Sequence, residues 1–263
     1  MPHFQPVSLT THAAKRWRRY GSYAFAAQDA VAPLVAHELP RALLHLPIAF
    51  VAQGEQLMPV AVLGLQPGRN LFVAPDGRWL GGYTPAAYRG FPFQLAGTPD
   101  GQQVLVFDAD SGLLSDTEGE PFFDEEGQPA KPVKAVLDFL SQVQANRVAT
   151  QRICQLLVHH GVVQPWPITV KGAQGEQQVQ GLHRIDEARL NQLDGAALQA
   201  LQQAGALPVA YCQLLSMQHL ATLGQLAQAH AQLQAHTPLP TTAKGELDLE
   251  FLNRDGTLSF GNL

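Results

Sequence analysis

The sequence predicts an α+β protein, with an antiparallel β-rich N-terminal half packed on a helical C-terminal half around one core. Three observations predict it. Residues 47–107 hold short apolar stretches separated by turn residues, with no helical period between them. Residues 132–160 carry apolar side chains at spacings of three and four. Residues 186–236 add further helix-start signals and a second apolar stripe. A parallel sheet needs crossover helices between its strands, and the first stretch has none.

The 1–30 segment is a polar lead that contains a basic aromatic knot, Lys15-Arg16-Trp17-Arg18-Arg19-Tyr20. It reads as a surface arm whose aromatics dock on the body, with a phosphate or acidic-peptide contact as the sharper alternative. Residues 31–46 read as short and irregular, with a helical turn around Leu39 to Leu46. The strands then read IAFVAQ, PVAVLGL, NLFVAP, RWLGGY and QVLVFDA. Asp76-Gly77 and Asp100-Gly101 are the strongest hairpin signals among the punctuators, because both turn residues tolerate positive φ. Residues 108–130 are acidic, turn-rich and without Lys or Arg, and one short strand is expected around Pro121 to Asp124.

Pro132 opens the long helix, where its missing N–H costs nothing, and Gly161 stands ready past its end. The polar stretch Gln144 to Arg147 suggests a break or phase shift. A strand pair follows around Gly172 to Gly175. Asp186 and Asp194 are expected helix caps. LPVAYCQLL reads as a strand or buried segment, and Ser216 as the cap of a last helix through about His236. Leu247 to Phe260 reads as a hairpin, an edge strand or a tail. The expected parts are 1–130, 131–236 and 237–263, within one continuous structural unit.

Composition excludes several classes. Of 263 residues, 46% are apolar and 15% charged, which supports a core and excludes wholesale disorder. A net charge of −5 argues against a general nucleic-acid binder. No uncharged apolar run approaches the ~20 residues that a membrane helix needs, and no secretory signal is expected. Cys154 and Cys212 sit in apolar contexts and read as buried free thiols in a reducing, cytoplasmic compartment.

The chemistry-bearing candidates are few. Trp79, Tyr83, Tyr88, Arg89, Phe91 and Phe93 fall within fifteen residues that also hold Pro85 and Pro92. Such density suits an aromatic cradle with one cation, able to take an aromatic side chain or a carboxylate. The competing reading is a core corner in which Arg89 satisfies carbonyls. VLVFDADSGLL has the Asp-x-Asp spacing of an aspartyl phosphatase, but Gly112 and the antiparallel context conflict with that chemistry. It reads instead as an acidic turn closing a strand, with a weak hard-cation site shared with Asp116, Glu118 or Asp124 as a rival. His159 and His160 are helix neighbours about 100° apart and poorly placed to chelate one ion. No metal ligand set is assigned and no cofactor is identified. The sequence has no G-x-S-x-G, phosphate loop or C-x-x-C.

The middle of the chain resembles the SapC family of bacterial proteins. The resemblance lies in Asn70-Leu71-Phe72-Val73, Gly77-Arg78-Trp79, Gly82-Tyr83-Thr84-Pro85 and Tyr88-Arg89-Gly90-Phe91-Pro92-Phe93. It continues in Asp108 to Ser111, Glu118 to Asp124 with Gly127, Gly181-Leu182, Ile185-Asp186-Glu187, Leu190 to Leu193, Gly205-Ala206-Leu207 and Tyr211. It spans roughly residues 40–225, and it departs at Gly90, where the family more often carries Arg or a bulky residue. The resemblance implies a label tied to surface-layer proteins, genomic company with outer-membrane receptors and flavin-dependent halogenase-like genes, and no defined catalytic residues. The leading expectation is a cytoplasmic, non-catalytic binding or accessory protein for a peptide, protein or aromatic small molecule. The alternatives are a metal-dependent tailoring enzyme or oxygenase, and a surface-layer-associated structural protein. A homo-oligomer is left open, since the nearly uncharged last helix suits a protein interface.

Overall fold

The computed structural model describes residues 3–54, 56–172 and 175–236. The tail, including the expected hairpin at Leu247 to Phe260, lies outside the described residues. Residues 1–223 form one compact unit, and a second unit begins at Gly224.

The N-terminal stretch holds only short elements. They are β1 (Phe4–Pro6), α1 (Leu9–His12), β2 (Arg16–Trp17), β3 (Val31–Pro33) and α2 (Leu39–Ala42), with 3-10 turns at Ala24–Ala26 and Ala36–Glu38. Then come β4 (Ile48–Gln53), β5 (Gln56–Val62), the single turn α3 (Ala86–Arg89), β6 (Phe93–Gly97), β7 (Gln103–Asp108), β8 (Leu114–Ser115) and β9 (Glu120–Pro121). The later elements are α4 (Lys131–His159), β10 (Val163–Pro165), β11 (Ile168–Gly172), β12 (Gly175–Val179), β13 (Leu182–Ile185), α5 (Glu187–Asn191), α6 (Gly195–Gln203), α7 (Ala206–Ser216) and α8 (Leu220–His236).

Among the described residues every strand pair is antiparallel, but the 47–107 stretch is not one meander. The β4–β5 hairpin sits in a five-stranded sheet ordered β10-β13-β4-β5-β3. The β6–β7 hairpin sits in a separate sheet ordered β1-β7-β6. Both hairpins carry a positive-φ glycine, Gly54 and Gly101, at the turn. NLFVAP and RWLGGY are not full strands. They form a tight loop about Asp76-Gly77 with a single bridge, Val73 to Trp79. Pro75, Gly81-Gly82 and Pro85 limit that ladder by removing donors and side-chain packing.

α4 runs unbroken through Gln144 to Arg147. Its 29 residues span about 43 Å at 1.5 Å each. The polar stretch serves a neighbouring turn instead of breaking the helix. Asn146 Oδ1 accepts from the His37 N–H and Thr150 Oγ1 accepts from the Ala36 N–H. LPVAYCQLL is helical, within α7. The buried positions of α7, Ala206, Val209, Ala210, Cys212, Gln213 and Ser216, recur at three and four, which a strand cannot present on one face. Ser216 does not cap the last helix. Its hydroxyl accepts from the Ile48 N–H and donates to the Gln213 carbonyl, while Gln213 bridges Ile185 N–H and Ile48 C=O. α7 thereby satisfies strand groups that the ladder leaves open. Asp186 and Asp194 cap α5 and α6 as the sequence indicates.

The basic knot docks against the acidic segment. β2 lies between β8 and β9. Lys15 pairs with Asp116, Arg18 with Glu118 and Arg19 with Glu120, while Arg16 donates to the Gly119 carbonyl. Asp116 and Glu118 of the expected hard-cation site face arm cations, and among the described residues no group of three or more His, Cys, Asp or Glu is placed to hold a metal ion. Trp17 inserts beneath, buried with Phe93, Phe107, Phe122 and Val133.

Candidate functional site

The ring-rich segment is placed by one buried carboxylate. Glu38 ends the 3-10 turn before α2 and is only 6% exposed. Its Oε1 accepts from the Val35 N–H at 2.9 Å. Its Oε2 accepts from the Ala86 N–H and from the Tyr83 hydroxyl, each at 2.8 Å. Arg89 stands 3.7 Å from the same oxygen and donates to the Tyr83 hydroxyl. A buried carboxylate that gathers several donors is the arrangement that offsets its desolvation. Here it pins α3 against the 35–38 turn.

From that anchor the six predicted residues go to different places. Tyr88 and Phe91 line an open cavity of about 770 Å³, together with Phe25 and Asp29. Phe91 stacks on Phe25 with ring centroids 3.8 Å apart and planes 7° apart. Phe25 meets the Tyr88 ring edge-on at 5.7 Å. Tyr83 and Arg89 instead line a smaller cavity of about 360 Å³, where Phe139 of α4 lies beneath the guanidinium at 5.2 Å. Trp79 lies over Phe72 and donates Nε1–H to the Tyr83 carbonyl at 3.0 Å. A Cβ on Gly81 would stand 2.8 Å from that indole nitrogen, so the glycine makes room for the indole. Phe93 is 1% exposed and belongs mainly to the Trp17 cluster, although an edge reaches the larger cavity. Gly90 has a reason of its own: a Cβ there would stand 2.6 Å from Leu140 Cδ2 of α4.

The arm supplies what sequence reasoning missed. Tyr20, Tyr23 and Phe25 join Trp79, Tyr88 and Phe91 in one continuous bank of rings, mostly edge-to-face. The signal was the recurrence of three aromatics in six residues of an otherwise polar lead. Burial raises the Tyr20 hydroxyl to about 12, with Tyr23 adding to the effect. Asp29 was also missed. The Tyr88 hydroxyl donates to its Oδ2 at 3.0 Å. Burial raises the Asp29 carboxyl above the usual carboxylate value, against the opposing pull of that hydrogen bond. Burial, then Asp29, pushes the Tyr88 hydroxyl well above its ordinary value, so it stays a donor.

Asp108 and Asp110 also line the larger cavity. Asp108 Oδ1 accepts from the His3 and Asp110 N–H groups, which makes it a turn-closing carboxylate at the end of the antiparallel β7. Gly112 follows with φ of 70°. Among the described residues, no group of three or more His, Cys, Asp or Glu is placed to hold a metal ion. Cys154 and Cys212 are free and buried, and burial raises both thiols, Cys154 to about 12. Neither has the depressed value of a reactive thiolate. The arrangement offers ring faces, a neutral phenol and carboxylates around an open space, which is chemistry for holding a ligand.

No helix among the described residues is long and apolar enough to cross a membrane. No curated protein and no solved structure matches the chain. The family model described as SapC matches residues 7–223, and the chain therefore belongs to the SapC family.

Proposed function

We propose that this protein is a non-catalytic binding or accessory protein that seats a peptide or aromatic small molecule. The observation that carries the reading is the stacked Phe25–Phe91 pair with Tyr88 around the cavity of about 770 Å³. Half-buried rings beside open space offer a flat guest both apolar area and edge or face contacts, at about 0.5–1.5 kcal/mol per ring pair beyond burial. Arg89 is not tied to main-chain carbonyls. Its side chain is 40% exposed and faces the neighbouring smaller cavity, where it is available to an anionic group. The unpaired buried thiols support a reducing compartment, and we place the protein in the cytoplasm.

Isothermal titration of the full chain with tryptophan, tyrosine, phenylalanine and short aromatic peptides tests the reading. Binding by at least one of them, weakened about tenfold or more by Phe91→Ala with melting unchanged within a few degrees, is the expected result. A panel without any binding overturns it. Cell fractionation tests the location, and a pool bound to the cell surface is incompatible with it.

A further inference from the structure

We propose that the larger cavity takes an organic cation, an amine carried on an aromatic or aliphatic body, with Asp29 and Asp110 as its counter-charges. This rests on the reading of that cavity as a ligand seat and adds the sign of the ligand's charge.

Three features of the cavity point the same way. The first is its charge. Asp29, Asp108 and Asp110 line it, and among the described residues no Lys, Arg or His does. The second is how these carboxylates are partnered. Asp116, Glu118 and Glu120 each face a cation of the arm. Among the described residues, none of the three aspartates in the cavity has such a partner. Asp29 receives one phenol hydrogen bond, and Asp108 receives two backbone N–H groups. The Asp110 carboxylate receives no hydrogen bond among the described residues, and its side chain is exposed. The third is the wall. Phe25, Tyr88 and Phe91 present rings to the same space, and ring faces attract weakly hydrated cations.

Rings and carboxylates together select within the cations. A hard metal ion needs several oxygens converging at 2.0–2.6 Å or so. The acids here form no such group. An ammonium or guanidinium on a carbon body can instead lay its apolar part on the rings and reach one carboxylate. An anionic guest would meet like charge from Asp29, Asp108 and Asp110. The Arg89 guanidinium does not reverse this, because it lines the other cavity. A free amine and the side chain of a peptide Lys share this chemistry.

The test uses the full chain and two charge-matched pairs of probes in isothermal titration. Tryptamine and indole-3-propionate share a ring and differ in charge. Acetyl-Phe-Lys-amide and acetyl-Phe-Glu-amide do the same for a peptide. The expected result is a preference of about tenfold or more for the cationic member of at least one pair. The pair that shows it distinguishes a free amine from a lysine side chain. Asp29→Asn and Asp110→Asn should each shrink that preference and leave the anionic probe unweakened. Asp110→Asn keeps the test decisive if Asp29→Asn melts early, since Asp110 is exposed and its side chain holds nothing in the fold. Equal or tighter binding of the anionic members, or a cation preference untouched by both variants, overturns the assignment while leaving the seat in place. No binding by any of the four probes overturns the seat as well.

Discussion

Removing the Glu38 carboxylate tests the claim that one buried acid sets the position of α3. Glu38→Ala takes the acceptor from two backbone N–H groups, Val35 and Ala86, both in buried residues, and from the Tyr83 hydroxyl. An orphaned buried donor costs about 1–3 kcal/mol. The two cavities that Glu38 lines, of about 260 and 360 Å³, can admit water to part of the gap, which favours the low end. Two amides at roughly 1.5 kcal/mol, with a small addition for the half-buried phenol, give about 3–4 kcal/mol. At about 2–4 °C per kcal/mol for a chain of this size, melting should fall by roughly 6–16 °C. Glu38→Gln keeps the shape, but its amide turns an N–H₂ toward a donor on one side, so about half that loss is expected. Tyr83→Phe removes one donor of several and should cost about 1 kcal/mol. Thermal melting followed by circular dichroism reads the series. The order must run Tyr83→Phe, Glu38→Gln, Glu38→Ala in increasing loss. A Glu38→Ala protein that melts within 2 °C or so of the parent, or a reversed order, refutes the reasoning.

Two further predictions concern groups near that hub. Arg89→Ala should lower melting by no more than about 3 °C, because its ion pair with Glu38 is long at 3.7 Å and half open to solvent, and Glu38 keeps its other donors. A fall above about 10 °C would show that the guanidinium is a cornerstone of the fold. His12 carries the pH dependence. Its ring is buried against Phe107 and Phe122, and desolvation lowers it below the ordinary 6.5, outweighing an opposing backbone interaction at Ser8. The unfolded chain therefore takes the proton first as the pH falls. The stability this histidine confers is present above pH 6.5 and is lost as the pH drops below it. The slope approaches about 1.4 kcal/mol per pH unit until the folded histidine also protonates. Denaturant melts of the parent and of His12→Leu between pH 7 and 5 should differ in slope, the parent losing stability faster as the pH falls, and parallel curves would contradict it.

Features set within a few residues were legible. Asp76-Gly77 and Asp100-Gly101 turn with positive-φ glycines, Asp186 and Asp194 cap helices, and Pro132 opens α4. Each of these depends on contacts three or four residues apart, and those contacts are written in the local order of side chains. The polar stretch at Gln144 to Arg147 misled for the opposite reason: its partners, His37 and Gln53, lie over ninety residues away. LPVAYCQLL was ambiguous because a short apolar run satisfies both periods.

The candidate site shows the same division. Its aromatic density and its one cation could be read directly. Their separation into a buried cluster, an indole packed on Phe72 and two cavities could not. Tyr88 meets Asp29 across 59 residues, and Phe91 meets Phe25 across a comparable gap. By itself the sequence determined the fold class, the antiparallel hairpins, the long helix and the ring-rich segment. Only the tertiary structure decided which sheet each hairpin joined, that the basic arm would be met by the acidic segment, and which acids would border the rings. Local conformation follows from neighbours along the chain, whereas a cavity is made by whichever distant segments the whole core brings to one place.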